Sequence, residues 1–433
     1  MIRVESELYR AAAALGVRAE PVFFDPASKA FRSLNATLAD KLLGWHAAID
    51  TYGIDYTLER SGWRRLVPSR LAIVRSLERR RLTTGFPLTA RLADCLQRAT
   101  LAVRPHAFPF VGADGRRIEL LPADLALAEP VAIGPDDVIL SASSDWGAKD
   151  PAELAALKQR TGCRIVAICY DIIPMTHPEF FLPRDVATFR RFWDAMFSVA
   201  DTVIVNAEPI RDDIVRYRQA AGVSVPAIQV VPLGCQPAVP EVRRAELPAG
   251  LRAERFALFV STIEPRKNHL MLLDAWDGLL ARGVPQAAGF KLVFVGRTGW
   301  MTDHVMRRIQ TIGDSVVHIR HADDGVLRAL YAAAAFCLYP SFYEGFGLPV
   351  VEAFAFGKAV IASNGGALRE VAGSVCETLD STDTAAWEAA IEALIGDPAL
   401  RSAEEARVRE RFHPVSWREC AVGMLRAAGF STV

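Results

Sequence analysis

The chain has 433 residues, 50 basic and 50 acidic side chains and no formal net charge, and 51% of its residues are hydrophobic. This length exceeds one ordinary domain core and predicts two or three domains, while the balanced charge argues against a general nucleic-acid-binding protein. The 7 cysteines include no C-x-x-C pair, which predicts free thiols in a reducing cytoplasm. Because the sequence has no bilayer-spanning apolar run and no signal-like start, we expect a cytoplasmic protein that touches a membrane only at its surface, if at all.

The N-terminal segment has an unusual order of elements. Met1–Gly16 has the spacing of an amphipathic helix, and Pro21–Phe24 is typical of a strand. A nucleotide-binding α/β domain begins instead with a strand and a glycine-rich loop. Either the true start lies upstream of Met1, or the protein lacks the first strand.

Residues 59–105 form a predicted basic helical insertion. Arg60–Arg81 contains eight arginines and one acid, and Leu71, Val74 and Leu77 fall on one side of a helix. Two interpretations stay open. The helix lies on an anionic membrane surface, or it is a solvated helix whose arginine stems cover apolar surface of its own domain.

A regular alternation of strands and helices begins near Asp137. The pattern predicts strands at Val138–Leu140, Arg164–Cys169, Thr202–Asn206 and Ile228–Pro232, and helices at Pro151–Arg160, Arg184–Val199 and Ile210–Ala220. Asp171 and His177 lie in the loop Tyr170–Phe181 (YDIIPMTHPEFF), just past a strand end. Open parallel sheets bind ligands at that edge, although a single loop histidine is more often a structural hydrogen-bonding residue. Ala207 follows Asn206 without a hydroxyl that could cap the next helix.

The second half repeats this alternation. It predicts strands at Phe256–Ser261, Lys291–Val295, Val316–Arg320, Phe336–Tyr339 and Ala359–Ser363. Arg266 and Lys267 stand between the first of these strands and a helix that begins near His269. A forked guanidinium beside an ammonium suits a diphosphate, whereas an isolated pair of this kind is ordinarily two solvated surface cations.

The segment Ser341–Glu352 (SFYEGFGLPVVE) follows the predicted strand Phe336–Tyr339. Its glycines leave room for a ligand to approach the backbone. Glu344 falls in a strand-to-helix loop and Glu352 one turn inside the helix, so both carboxylates can face a crevice above the strand end. Taken singly, each glutamate is unremarkable, because the helix dipole alone favours an acid in the first turn.

This string resembles the donor-site signature of retaining glycosyltransferases of family 4, which have the GT-B fold. In that family two glutamates flank Gly-Phe-Gly-Leu-Pro. The stretch Glu264–His269 (EPRKNH) is similar to the family's diphosphate-binding loop, and Tyr170–Pro178 looks like a loop of its mannosyltransferase-type members. The resemblance covers about residues 137–420 and is strongest over 256–373.

The resemblance implies an α/β fold of the GT-B type, with two Rossmann-like domains facing across a cleft and a C-terminal helix that crosses back onto the first domain. We divide the chain into an acceptor-side domain (1–236), a linker rich in proline, alanine and charge (237–255), a nucleotide-sugar-binding domain (256–405) and a helical tail (406–433).

The resemblance also implies roles for single residues. The predicted catalytic residues are Glu344, Asp171 and His177, with Glu344 holding the sugar ring. The predicted donor-binding residues are Arg266, Lys267, Glu352, Gly345, Phe346, Gly347, Leu348, Gly296 and Arg297, with Glu352 accepting hydrogen bonds from the ribose. No D-x-D-type metal site is evident in the sequence, so we expect metal-independent transfer without a cofactor.

The implied reaction moves a hexose, with mannose from GDP-mannose the first choice, to a hydroxyl of a glycan or lipid-linked glycan in surface-polysaccharide synthesis. The anomeric configuration would be retained. A UDP-hexose or dTDP-rhamnose donor is an open alternative, and so is a non-catalytic GT-B protein that binds within a polysaccharide assembly complex. The expected partners are therefore the donor, the acceptor and, through Arg60–Arg81, a membrane surface, with no nucleic acid.

Overall fold

The computed structural model describes residues 2–25, 30–33, 108–111, 117–120, 131–142, 150–235 and 247–431. The chain divides into two compact units, one formed by Met1–Ile139 with Ser143–Ile165 and the other by Leu140–Ala142 with Val166–Val433. The predicted insertion at 59–105, including Arg60–Arg81, lies outside the described residues. So do residues 237–246 of the predicted linker.

The first unit begins with the expected helix. Helix α1 (Ile2–Ala14) buries Val4 and Leu8 on one face, as its amphipathic spacing predicts. Strands β1 (Val22–Asp25) and β2 (Ala30–Ser33) pair antiparallel, as do β3 (Phe108–Val111) and β4 (Arg117–Leu120).

A four-stranded sheet follows, with the strand order β5-β6-β7-β8. Its strands are β5 (Val138–Ser141), β6 (Arg164–Cys169), β7 (Thr202–Val205) and β8 (Ile228–Val230), and its helices are α2 (Pro151–Thr161), α3 (Ile173–Thr176), α4 (Pro183–Val199) and α5 (Glu208–Ala220). Strands β6, β7 and β8 are parallel. In β6 every side chain after Arg164 is buried, which is why this strand is a continuous apolar run in the sequence.

The second half of the chain contains a six-stranded parallel sheet, called the second sheet from here on. Its strands are β9 (Phe256–Val260), β10 (Lys291–Val295), β11 (Val316–Ile319), β12 (Phe336–Tyr339), β13 (Val360–Ser363) and β14 (Thr378–Leu379). The strand order β11-β10-β9-β12-β13-β14 is that of a dinucleotide-binding fold. It reverses between β9 and β12, and ligands bind such sheets at the carboxyl ends of the two strands where the order reverses.

The helices of this sheet are α6 (His269–Ala281), α7 (Val284–Ala288), α8 (Asp303–Ile312), α9 (Asp324–Ala333), α10 (Leu348–Ala355), α11 (Leu368–Val371) and α12 (Thr384–Gly396). Large aromatic side chains, among them Trp276, Trp387 and Phe336, are fully buried in the core around the sheet. The core therefore holds the strand ends rigidly, so that the loops beyond them can carry a site.

The C-terminal helices are α13 (Pro398–Arg411) and α14 (Trp417–Ala427). Helix α14 packs on the four-stranded sheet β5-β6-β7-β8, called the first sheet from here on. A Cβ added to Gly423 would lie 2.9 Å from Val231 Cγ1, just past the end of β8. The Cys235 amide donates to the Val415 carbonyl at 2.8 Å. The predicted return of the last helix to the first sheet is therefore confirmed.

The α/β prediction is confirmed as well, and the ranges predicted for β6, β10 and β12 match at both ends. The segment predicted as a loop at Tyr170–Phe181 differs, because it contains α3 and a 3₁₀ turn at Pro178–Phe180. Each begins with a proline near its first position, where proline favours helical turns. Within the described ranges the six cysteines are free and buried, and no helix is long and apolar enough to cross a membrane.

Helix α14 has a complete capping box, which predicts a local stability effect. The Ser416 hydroxyl accepts from the Glu419 amide at 3.1 Å, and the Glu419 carboxylate accepts from the Ser416 amide at 2.7 Å. Ser416→Ala should cost about 1 kcal/mol, which corresponds to about five-fold faster amide exchange in α14. Ser402→Ala in α13 is the control, and equal exchange in both variants would contradict the prediction.

Candidate active site

Three loops of the second unit carry the charged side chains that the sequence singles out. Asp171 follows β6, Arg266 and Lys267 follow β9, and Glu344 follows β12. The loops after β9 and β12 are joined by their backbones, since the Phe342 amide donates to the Arg266 carbonyl at 2.9 Å. The switch point of the second sheet thus brings residues from distant parts of the chain together.

Glu344 forms ion pairs with both cations. Its Oε2 accepts from Arg266 Nη1 at 2.8 Å, and its Oε1 accepts from Lys267 Nζ at 2.5 Å. The three side chains are only 12–15% exposed. The structure therefore brings the predicted sugar-binding carboxylate and both predicted diphosphate-binding cations into one buried cluster.

The charges of this cluster shift one another's protonation. Burial works to raise the pKa of Glu344, but Arg266 and Lys267 outweigh it and lower that pKa to about 2. Burial disfavours the charged form of Arg266 as well, yet Glu344 and Glu264 raise the pKa of its guanidinium. Both groups are therefore held ionised, because each supplies the countercharge of the other.

Asp171 lies against the loop that carries Glu344. A Cβ added to Gly345 would lie 2.8 Å from the Tyr170 carbonyl oxygen, 2.9 Å from Asp171 Cβ and 3.0 Å from Asp171 Oδ2. Burial raises the pKa of Asp171, and the nearby Arg266 opposes that shift. The Asp171 Oδ1 also accepts from the Ile173 amide at 3.0 Å, which fixes the side chain at the start of α3.

His177 lies beside the same loop. Its ring centroid is 4.4 Å from that of Tyr343 and 6.2 Å from that of Phe180. The hydroxyl of Thr176 is 2.9 Å from His177 Nδ1. His177 is therefore held next to the residue that precedes Glu344.

Two buried tyrosines hold Glu352 and the start of its helix in place. The Tyr331 hydroxyl donates to Glu352 Oε2 at 3.1 Å, and it lies 3.3 Å from the Tyr339 hydroxyl. The Tyr339 hydroxyl donates to the Pro349 carbonyl at 2.9 Å. These contacts fix the first turn of α10 and, with it, the position of Glu352.

The remaining predicted donor-binding residues fall into two groups. Gly345, Phe346, Gly347 and Leu348 form the loop into α10, and a Cβ on Gly347, where φ is +90°, would lie 2.6 Å from Leu368 Cδ2. Gly296 and Arg297 follow β10 instead. At Gly296 a Cβ would lie 2.1 Å from the Ser261 carbonyl oxygen, so this glycine allows two loops to approach closely.

Arg297 is exposed and, within the described part of the chain, forms no ion pair. The same part of the chain has no cluster of three or more His, Cys, Asp or Glu side chains arranged to hold a metal ion.

The structure adds contacts that the sequence analysis missed. Arg266 Nη2 donates to Glu264 Oε1 at 2.8 Å, and the Tyr343 hydroxyl donates to Asp213 Oδ2 at 2.5 Å. Glu370 Oε2 accepts from the Glu208 amide at 3.0 Å, and so caps the helix for which Ala207 offers no hydroxyl. No local sequence pattern predicts the pair of Tyr343 with Asp213 or the pair of Glu208 with Glu370. The role of Glu264 could have been predicted from the sequence, because Glu264 stands in the same short motif as Arg266.

The comparisons with known proteins agree with this geometry. Residues 254–397, which include Arg266, Lys267, Glu344 and Glu352, match the family described as glycosyl transferases group 1. The chain resembles solved structures of sucrose-phosphate synthase from Thermosynechococcus elongatus (TM-score 0.50, 23% identity, 67% of this chain and 72% of that one). It also resembles a UDP-forming α,α-trehalose-phosphate synthase from Burkholderia xenovorans (TM-score 0.53, 16% identity, 68% and 73%). The similarity to the two solved structures confirms the GT-B fold, and the match over residues 254–397 indicates a glycosyltransferase.

Two curated relatives indicate a narrower group. O-antigen chain mannosyltransferase B of Escherichia coli is 29% identical over 273 residues, which cover 61% of this chain and 70% of that protein. The serotype-specific mannosyltransferase WbdA of Escherichia coli is 26% identical over 335 residues, 74% of this chain but only 40% of WbdA. The chain thus spans about two fifths of the length of the second relative.

The paired state of Glu344 predicts a dependence of stability on pH. Because its pKa in the folded protein is about 2 and its ordinary value is 4.5, the ionised carboxylate stabilises the fold above about pH 4.5. That contribution, of the order of 3 kcal/mol, is lost as the pH falls towards 2. Glu344→Gln should therefore unfold at a lower temperature than the wild type near pH 7, and the gap should narrow below about pH 4.5.

Thermal unfolding between pH 7 and pH 3 measures this gap. The matched control is Glu392→Gln, which removes an exposed partner of Arg282 and should leave the unfolding temperature almost unchanged. A gap for Glu344→Gln that stays constant down to pH 3 would show that the carboxylate is not held ionised by its neighbours.

The contact between Gly345 and Asp171 predicts a second effect. Gly345→Ala would place a methyl group within 3.0 Å of Tyr170 and Asp171 atoms, and overpacking of this kind costs about 1–3 kcal/mol. Gly396→Ala, where a Cβ meets nothing within 4 Å, is the control. A lower unfolding temperature for the first variant alone is expected, and a crystal structure should show a displaced Asp171. Equal unfolding temperatures would contradict the close packing.

Proposed function

We propose that the protein is a retaining glycosyltransferase of family 4 that transfers mannose from GDP-mannose to a glycan or lipid-linked glycan during surface-polysaccharide synthesis in the cytoplasm. The observation that carries the proposal is the buried cluster of Glu344, Arg266 and Lys267 at the switch point of the second sheet. The choice of mannose is supported by the two mannosyltransferase relatives from Escherichia coli.

Arg266 and Lys267 would bind the diphosphate of the donor. As the glycosidic bond breaks, negative charge grows on the leaving nucleoside diphosphate, and fixed cations stabilise that charge most where water is excluded. The amino end of α10 adds its dipole beside the same loop. The backbone of the loop Gly345–Leu348 would lie along the donor.

Glu344 would hold the sugar ring and stabilise the positive charge that develops at the anomeric carbon. Asp171 and His177 would face the same sugar from the loop after β6, and Glu352 would accept hydrogen bonds from the ribose. Gly296 and Arg297 would border the nucleotide. Two of these side chains are fixed by a neighbouring contact, since the Ile173 amide holds Asp171 and the Tyr331 hydroxyl holds Glu352.

The proposed chemistry is a front-face displacement with retention. The acceptor hydroxyl oxygen forms a bond to the anomeric carbon, the bond from that carbon to the diphosphate oxygen breaks, and the hydroxyl proton passes to the leaving phosphate. No covalent glycosyl-enzyme intermediate is part of the proposal. Because two fixed cations are available for the leaving group, we further propose that transfer does not depend on a metal ion.

A panel of donors tests the proposal. GDP-mannose, UDP-glucose, UDP-galactose and dTDP-rhamnose are compared by thermal shift and by slow release of nucleoside diphosphate without acceptor. A donor at about 100 times its Kd stabilises a protein by about 2.7 kcal/mol, so a true donor should raise the unfolding temperature. We expect the largest rise, together with release of GDP, for GDP-mannose. Glu344→Ala should abolish release, Glu392→Gln should not, and EDTA should change nothing.

Each other outcome contradicts a defined part of the proposal. A larger shift with a UDP or dTDP donor would show that the donor is wrong. Stabilisation by a donor without release of its diphosphate would indicate a non-catalytic binding protein. The anomeric configuration of a product formed on a mannoside acceptor, read by NMR, would exclude retention if it were β.

A further inference from the structure

The guanidinium of Arg266 is held from two sides. Its Nη1 donates to the Tyr343 carbonyl at 2.6 Å and to Glu344 Oε2 at 2.8 Å, whereas its Nη2 donates to Glu264 Oε1 at 2.8 Å. Within the described residues its Nε is buried without a hydrogen-bond partner. Arg266 therefore has two acidic partners, on separate segments of the chain.

Glu264 is the more fixed of these two acids. Its side chain is 6% exposed, against 12% for Glu344, and the backbone around it is anchored on both sides. The Ile263 amide donates to the Arg297 carbonyl at 2.9 Å, and the Lys267 amide donates to the Glu264 carbonyl at 3.1 Å. In the described part of the chain Arg266 is the ion-pair partner of the Glu264 carboxylate.

Glu344 cannot keep both of its ion pairs when a donor binds, provided that the proposed function is correct. Nη1 of Arg266 already donates to the Tyr343 carbonyl and to Glu344, so a phosphate oxygen binds it only in place of Glu344. The Glu344 carboxylate and a bound diphosphate carry like charges, which repel each other at close range. Binding of the donor therefore exchanges Glu344 for phosphate oxygens, and Arg266 then depends on its remaining partners.

We propose that Glu264 is a positioning residue for the donor diphosphate. It holds Nη2 of Arg266 while Nη1 exchanges the Glu344 carboxylate for a phosphate oxygen. The guanidinium thus keeps its place through the exchange, and Glu344 is released towards the sugar. Glu264 itself touches no substrate atom, and its effect is confined to the phosphate-bearing part of the donor.

The test compares nucleotides with their nucleosides. Binding of GDP, UDP and dTDP, and of guanosine, uridine and thymidine, is measured by calorimetry for the wild type, Glu264→Gln and Glu264→Asp. Hydrogen bonds to charged groups contribute about 1.5–3 kcal/mol. Glu264→Gln should therefore lower the affinity for the diphosphate that the wild type binds by about ten-fold or more. Its nucleoside should bind within about two-fold of the wild type, and Glu264→Asp should recover part of the lost affinity.

The matched control is Glu405→Gln. Glu405 is 23% exposed and pairs with Lys358, whose side chain is 10% exposed. Lys358 lies just before the amino end of β13, away from the switch point. This variant removes an acid from another partly buried ion pair of the same domain and should leave the affinity for diphosphates unchanged.

Two results would overturn the inference without touching the proposed function. One is a wild-type protein that binds a nucleoside diphosphate while Glu264→Gln binds it equally well. The other is an equal loss for nucleoside and diphosphate in Glu264→Gln, since a general distortion of the domain produces that pattern. A wild-type protein that binds none of the three diphosphates would overturn the proposed function and this inference together.

Discussion

Two cations, Arg266 and Lys267, share the Glu344 carboxylate inside the second unit, and Glu264 is a second acidic partner of Arg266. Removing one member of a buried ion cluster leaves an uncompensated charge, at a cost of about 3–5 kcal/mol. The loops after β9 and β12 must therefore stay in register with each other. The backbone bond from Phe342 to Arg266 maintains this register. Gly365, in the loop after β13, packs against the loop after β12, because a Cβ there would lie 2.1 Å from the Phe342 carbonyl oxygen.

The parallel sheet explains why these charges can meet at all. The carboxyl ends of β9 and β12 are neighbours at the switch point, and each strand continues into a loop there. Beneath that edge the core is mainly apolar, and the hydroxyls of Tyr331 and Tyr339 hold the first turn of α10 through Pro349. A rigid apolar layer with a few directed hydrogen bonds therefore supports a charged layer above it.

Much of this fold was readable from the sequence, and the reason is local. Strands β6, β10 and β12 are continuous apolar runs, and Gly296 and Pro340 mark the ends of β10 and β12 in the chain itself. The residues of the cluster were also predicted singly, from a resemblance to family motifs. What each residue contacts was not predictable, because Glu344 and Arg266 are 78 positions apart and their pairing is a property of the assembled sheet.

The same limit explains the elements that differed. The helical turn α3 is only four residues long, too short for any periodicity to appear. The acceptor that caps α5 comes from Glu370, 162 positions away from the amide of Glu208, and an exposed glutamate gives no sign of such a partner. Side-chain pairs between distant segments depend on the packing of both sheets, and no local pattern in the sequence encodes that packing.

The bonds from Tyr343 to Asp213 and from Glu208 to Glu370 join loops of the second sheet to α5 of the first. Hydrogen bonds to charged groups contribute about 1.5–3 kcal/mol each. Both carboxylates belong to helices: the Asp213 side chain in α5 is only 7% exposed, whereas Glu370 in α11 is exposed. Breaking either bond leaves the core of the six-stranded sheet intact, so a change in these loops does not have to disturb the fold beneath them.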